Sequence, residues 1–429
     1  MRHLIKGWTI AVLSVAVVGG VAATRPMLAH ADIASDDDAR QGKRVVVSLP
    51  LPESGPRPIP TAALTADLPA PSDDVAAAPI AMLYDVNAGQ TLYARGVDQQ
   101  FLPASVTKVM TLYVAFDLMA QGRLSPDRLL TVSDDAWKEW HSKGSRMFLV
   151  RGSQVPVDAL LMGIANVSAN DGCVVLAEGV AGSVENWVAM MNAQARMLGM
   201  TGSHFGTPNG WMDEGQTYYT ARDLTRLAQA MVTRFPQYYR RYIGKPGMTW
   251  NGITQPNHDP TLGIVPGADG IKTGFTNEAG YNFLGSVERD GRRLIMVIAH
   301  MPNPKERARA SRALLEWGFG AWEAHRLYPA GKILADATVQ QGTQASVGLE
   351  TAHPVDVTAP RGVKPQVSMR IRYKGPLDAP IARGEEVAML EVHVAGQPAA
   401  EVPLVASADV PRGNGLTDRL RDGFVGLLR

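Results

Sequence analysis

Three short clusters in this chain carry side chains suited to acyl chemistry. In "LPASVTKVMT", residues 102–111, Ser105 and Lys108 stand three positions apart at a predicted helix start, on one face and about one turn apart. A serine hydroxyl becomes a nucleophile when a neighbouring base takes its proton, and a lysine can be that base only as the neutral amine. Taken alone, the pair also reads as a helix-start serine followed by a solvated charge. Further along, "NVSANDG" supplies Ser168, Ala169 and Asn170, and "DGIKTGFTNEAGYN" supplies Lys272, Thr273 and Gly274. These too have bland readings, as a helix–helix loop and a solvent-facing strand lysine. Together, in this order, they make a nucleophile, a candidate base, a second hydroxyl and a second cation.

Other chemistries find little support. There is no Gly-x-Ser-x-Gly elbow, which argues against an α/β-hydrolase, and no His-Glu-x-x-His. The nine histidines form no ligand spacing, so neither a metal nor a cofactor is expected. A single cysteine, Cys173, excludes an intramolecular disulfide and a Cys-cluster metal site, and its apolar setting "CVVLAEGV" reads as a buried small hydrophobe. A formal net charge of +1 gives no argument for nucleic-acid binding.

The elements that must position these groups suggest an α+β fold. "IAMLYDVNAGQTLYARG" reads as two strands joined by an Asn-Ala-Gly turn. A helix follows from about Ser105 to Met119, with Val109, Leu112, Phe116 and Met119 at core spacing and Gly122 past its end. "VPVDALLMGIANVSAN", "VENWVAMMNAQARMLGM" and "TARDLTRLAQAMVTRF" are predicted helices, the third with Thr220 as its N-cap. Strands return in "ADGIKTGFT", "YNFLGSV" and "RLIMVIAH", the last two joined through the Asp-Gly of "ERDGR". A helix over about Lys305 to Glu323 closes the region. Helices set between strands in this way favour α+β over repeated βαβ units.

At the N-terminus a basic "MRHLIKG", an apolar run and small residues at Ala29 and Ala31 predict a secretory signal over residues 1–31, cleaved before Asp32. The uncharged run from Gly7 to Thr24 spans 18 residues, which leaves a retained membrane anchor as the alternative. Residues 32–78 form a flexible segment, with eight prolines between Pro50 and Pro79. The catalytic unit is expected over 79–328. A small all-β domain over 329–413 follows from the alternation of Val367, Met369, Ile371 and Tyr373 and of Leu390, Val392 and Val394. The last stretch, 414–429, reads as an amphipathic helix on a membrane surface, with Leu416, Leu420, Phe424, Leu427 and Leu428 on one face, and packing on the β domain is the alternative.

Residues from about 79 to 325 resemble the catalytic domain of D-alanyl-D-alanine carboxypeptidases, the low-molecular-mass penicillin-binding proteins. The resemblance lies in "LPASVTKVMT", "GSRMFLVRGSQVPVDALLMGIANVSANDGCVVLAEGVAGS", "GWMDEGQTYYTARDL" and "DGIKTGFTNEAGYN", with Ala169 where many relatives have glycine. It implies a serine β-lactamase/transpeptidase-like domain, an antiparallel sheet with a helical subdomain, followed by the β domain. It implies an acyl-enzyme on Ser105, Lys108 as base with burial and the nearby Lys272 lowering its pKa, and Ser168 as proton relay. Asn170 would bind the substrate backbone, and the N–H groups of Ser105 and Phe275 would form the oxyanion hole. Lys272 and Thr273, with Gly274 completing the motif, would hold the terminal carboxylate; Arg307 is a second candidate or a solvated helix arginine. The implied substrate is the peptidoglycan stem pentapeptide, with β-lactams as inhibitors, on the outer side of the cytoplasmic membrane. A D,D-endopeptidase, a β-lactamase and an inactive wall-binding module are the competing functions.

Overall fold

The computed structural model describes residues 70–394 and 399–413, with a two-residue strand at Val15–Ala16. Apart from that strand, the expected signal segment lies outside the described residues, as do the proline-rich stretch to residue 69 and the amphipathic tail.

An antiparallel sheet organises the first domain. Its strands are β1 (Ile80–Asp85), β2 (Gln90–Arg95), β3 (Ala268–Thr276), β4 (Gly280–Arg289) and β5 (Arg292–Met301), in the order β2–β1–β5–β4–β3. β1 is buried along its whole length, which suits a run that is apolar on both faces. Met82, Tyr84, Leu284, Ile295 and Val297 pack against the helical subdomain. Leu83, Phe283, Val287, Leu294 and Met296 pack on the other face, against Leu314 and Leu315. The hairpin between β4 and β5 turns at Asp290 and Gly291, both at positive φ, as a two-residue primed turn requires. β3 is an edge strand, free to face the helices.

The helical subdomain holds α1 (Lys108–Ala120), α2 (Val157–Asn166), α3 (Asn170–Ala181), α4 (Val184–Met197) and α5 (Ala221–Arg234). Thr220 caps α5, its side chain accepting from the Asp223 N–H. From Lys108 to Met119 α1 is buried on every side, so it is the central helix of the domain. Behind the sheet lies α6 (Pro304–Gly320), whose Asn303 cap accepts from Glu306 N–H at 2.9 Å.

Two boundaries differ from the sequence reading. The stretch predicted as flexible over 32–78 contains an ordered element at its end: Asp73–Ala76 is a short helix, with Val75 and Ala78 buried in the cluster that α6 completes. The closing helix stops at Gly320 rather than Glu323. Strand β6 (Trp322–Tyr328) follows, and it pairs with β9 (Val355–Pro360) of the β-rich domain. Apolar residues suited to a helix end, Trp322 among them, satisfy a strand pairing that periodicity alone does not reveal.

The second domain adds β7 (Ile333–Gln340), β8 (Ser346–Thr351), β10 (Val367–Tyr373), β11 (Glu386–Val394) and β12 (Ala400–Ala406), in the sheet order β10–β11–β12–β8–β7. Val367, Met369 and Ile371 point into a core shared with Leu390, Val392 and Val394, as their alternation predicts; Tyr373 is partly buried against it. The domains meet at Asp85. Its carboxylate accepts from Arg292 Nε at 2.7 Å and from Thr358 Oγ1 at 2.8 Å, while Gln90 Oε1 accepts from Thr358 N–H at 2.7 Å.

Candidate active site

Ser105 lies in a 3₁₀ turn, Ala104–Thr107, that leads into α1, and Lys108 is the first residue of that helix. The helix-cap reading of the serine falls, because the N-cap positions of the turn and of α1 are Pro103 and Thr107. Instead Lys108 Nζ lies 2.7 Å from Ser105 Oγ and 2.7 Å from the Asn209 carbonyl oxygen. Lys108 is fully buried.

Asn209 was not singled out from the sequence. Its carbonyl is aimed by a loop fixed to α1, where Thr111 Oγ1 donates to Pro208 O at 2.6 Å. The Asn209 side chain turns back to accept from Trp211 N–H at 3.0 Å. Gly210 has φ +72°, and a Cβ there would meet Ala104 O at 1.9 Å. Only glycine allows this loop to press on the serine turn. "PNG" reads as a generic turn, so nothing in the sequence marked its carbonyl as a lysine partner.

Ser168 comes from the turn between α2 and α3, and Asn170 is the first residue of α3. Ser168 is buried and held at φ +62°, unusual for a non-glycine residue. Ala169 N–H donates to Gly163 O at 3.1 Å and Asn170 N–H to Ser145 O at 2.8 Å. The Asn170 amide reaches Lys143 O at 3.4 Å. Asp171, also missed from sequence, straps the 145–149 loop in place by accepting from Met147 N–H at 3.0 Å and Leu149 N–H at 3.2 Å. Cys173 is buried in α3, as expected, and burial pushes its thiol up to about 12.

β3 forms the opposite wall. By strand alternation Lys272 and Gly274 share one face, Thr273 and Phe275 the other. Lys272 is buried and donates to Thr273 O at 3.0 Å. A Cβ on Gly274 would sit 2.3 Å from Pro103 O and 3.1 Å from Val106 N, so this glycine lets strand and serine turn touch. Asn282, opposite Gly274, ties the pair together by donating to Leu102 O at 2.9 Å. Phe275 is half-exposed, and its ring stacks on Tyr281 at 4.1 Å and 24°. Arg307, in the first turn of α6, is buried, with its guanidinium carbon 5.8 Å from the Tyr281 ring centroid. The alternative of a solvated arginine is thereby excluded.

Burial holds Lys108 down at about 8, partly offset by attraction to Asp171. Lys272 falls to about 7, again through burial first, then repulsion from Lys108. Burial is the first cause at both lysines, and the repulsion between them is mutual and belongs to the pair. Arg307 adds to the field on Lys272 and is itself lowered by burial. Among the described residues no cluster of His, Cys, Asp or Glu could hold a metal ion.

A hydroxyl within hydrogen-bond reach of a buried lysine, beside a cationic wall, is the arrangement of a serine acyl-transfer enzyme acting on an anionic substrate. Residues 67–303 match the D-alanyl-D-alanine carboxypeptidase family model, and residues 322–412 match the penicillin-binding protein 5 C-terminal domain. A D-alanyl-D-alanine carboxypeptidase DacD of Salmonella typhimurium is 35% identical over 352 residues, spanning 80% of this chain and 88% of the relative. The crystal structure of penicillin-binding protein 5 from Haemophilus influenzae is similar, with a TM-score of 0.69 and 33% identity, over 81% of this chain and 100% of that one. Penicillin-binding protein D2 from Listeria monocytogenes, solved in the cefotaxime-bound form, matches with a TM-score of 0.51 and 30% identity, over 56% of this chain and 97% of that one. The chain belongs to the D-alanyl-D-alanine carboxypeptidase family.

Proposed function

We propose that this protein is a serine D-Ala-D-Ala carboxypeptidase that removes the terminal D-alanine from peptidoglycan stem pentapeptides. The observation that carries the reading is the 2.7 Å contact between Lys108 Nζ and Ser105 Oγ in a pocket that lowers the lysine to about 8. As the neutral amine, Lys108 takes the Ser105 proton while Oγ attacks the penultimate D-Ala carbonyl. The backbone N–H groups of Ser105 and Phe275 stabilise the tetrahedral oxyanion. Ser168 relays a proton to the leaving D-Ala nitrogen, and Asn170 holds the peptide backbone. Lys272, Thr273 and Arg307 receive the terminal carboxylate, and water then hydrolyses the acyl-enzyme.

A β-lactam would form the same bond and stay, an expectation supported by the cefotaxime-bound relative. Benzylpenicillin should add one adduct to the intact mass, absent in Ser105→Ala; an adduct that persists in this variant overturns the nucleophile assignment. Product analysis on a pentapeptide and on a cross-linked muropeptide separates carboxypeptidase from endopeptidase action. The reading extends to the cell: a signal over residues 1–31 exports the chain, and the tail 414–429 rests on the outer surface of the cytoplasmic membrane.

A further inference from the structure

Phe275, Tyr281 and Arg307 form a ladder of three flat groups on the face of β3 that also carries Thr273. Phe275 and Tyr281 are register partners across β3 and β4, and their rings stack at 4.1 Å. Arg307 reaches the Tyr281 ring from α6, its guanidinium carbon 5.8 Å from the centroid. A guanidinium at that distance over an aromatic face is attracted by the ring quadrupole, and more so when desolvated. Arg307 is desolvated, and among the described residues its buried Nε donates to nothing. Asp259, the carboxylate whose charge it feels, spends Oδ1 on Thr261 and Leu262, and its buried Oδ2 accepts from nothing. Among the described residues no ion pair fixes the arginine's direction, and the ring of Tyr281 is the flat group it faces.

We infer that Tyr281 is a positioning residue for the leaving-group carboxylate site: its ring, on which Phe275 stacks, holds Arg307 where its charge acts on Lys272. The inference rests on the reading of Arg307 as a carboxylate partner. It concerns the ring and not the phenol, since no hydrogen bond of the Tyr281 hydroxyl enters the ladder.

The test compares kcat/KM for a peptide ending in D-Ala-D-Ala with that for the same peptide amidated at its C-terminus. Tyr281→Leu should lower the ratio of free acid to amide roughly tenfold, the order expected for losing a desolvated cation–ring contact, and mainly through KM. Tyr281→Phe keeps the ring and should keep the wild-type ratio. Tyr281→Met, closer in volume, serves the same purpose if the leucine variant does not fold, with folding judged by the stoichiometry of benzylpenicillin adducts. Arg307→Gln is the control for the underlying reading. If it lowers the ratio while Tyr281→Leu and Tyr281→Met do not, the positioning role is wrong and the carboxylate role stands. If Arg307→Gln leaves the ratio unchanged, both are wrong. A loss in Tyr281→Phe equal to that in Tyr281→Leu places the effect in the hydroxyl and overturns the ladder.

Discussion

Two lysines buried in one pocket are costly to fold around, because each must leave its proton in water or bring a charge into a dry site. The sign of that cost is fixed by the folded values. Lys272 falls to about 7 in the folded chain, against an ordinary 10.5. Between those values the unfolded chain binds the extra proton, so this residue's contribution to stability rises with pH through the window and is lost as pH falls towards 7. Lys272→Met should therefore melt higher than the native protein near pH 7, with the difference shrinking by pH 10. An equal difference at both ends would mean that Lys272 is not held uncharged. For acylation, the rate of benzylpenicillin attachment should climb as the lysine pair loses its first proton, with apparent values that belong to the pair and not to either residue. The side chains of this pair were legible in the sequence because their chemistry is carried by residue type at short spacing. The partners Asn209 and Asp171 were not. One acts through its backbone carbonyl and the other by strapping a loop, and neither role leaves a mark in residue identity.

The helix, the edge strand and the 206–211 loop meet at two glycines, and there the elements, not the reactive groups, set the geometry. Gly210→Ala would force a Cβ against Ala104 O at 1.9 Å and hold alanine at φ +72°. Strain of this kind costs roughly 1–3 kcal/mol before any clash is relieved. The loop would have to withdraw, taking with it the carbonyl that Lys108 uses. A lowered melting temperature together with acylation slowed at least tenfold is expected; wild-type acylation would show that Asn209 O is not needed to place the amine. Element type was readable from periodicity and turn chemistry, as the primed Asp290-Gly291 hairpin and the Thr220 cap bear out. Element ends were not. The short Asp73–Ala76 helix is defined by the apolar site that Val75 fills, and β6 by a partner strand, β9, whose residues begin 33 positions after Trp322. Long-range pairing of this sort has no local signature.

At the scale of the whole molecule, the catalytic and β-rich domains share a junction rather than a free linker. Asp85 is wholly buried between Arg292 and Thr358, so removing Thr358's domain would take one partner from the carboxylate and uncover the face that domain protects. For the tail, deletion of residues 415–429 from the signal-cleaved protein should release it from anionic vesicles while pentapeptide hydrolysis in solution continues. Continued sedimentation with the vesicles would rule out the surface-anchor reading. If the tail does hold the membrane while the cleft grips a peptide of the wall, the two ends of the molecule are pulled by different structures. That tension would enter the catalytic domain along β6, where Arg292 Nη1 donates to Trp322 O at 3.1 Å, and spread through Asp85 into the centre of the sheet. A tug between wall and membrane would therefore run between the cleft and the β-rich domain, with the buried Asp85 junction on its path.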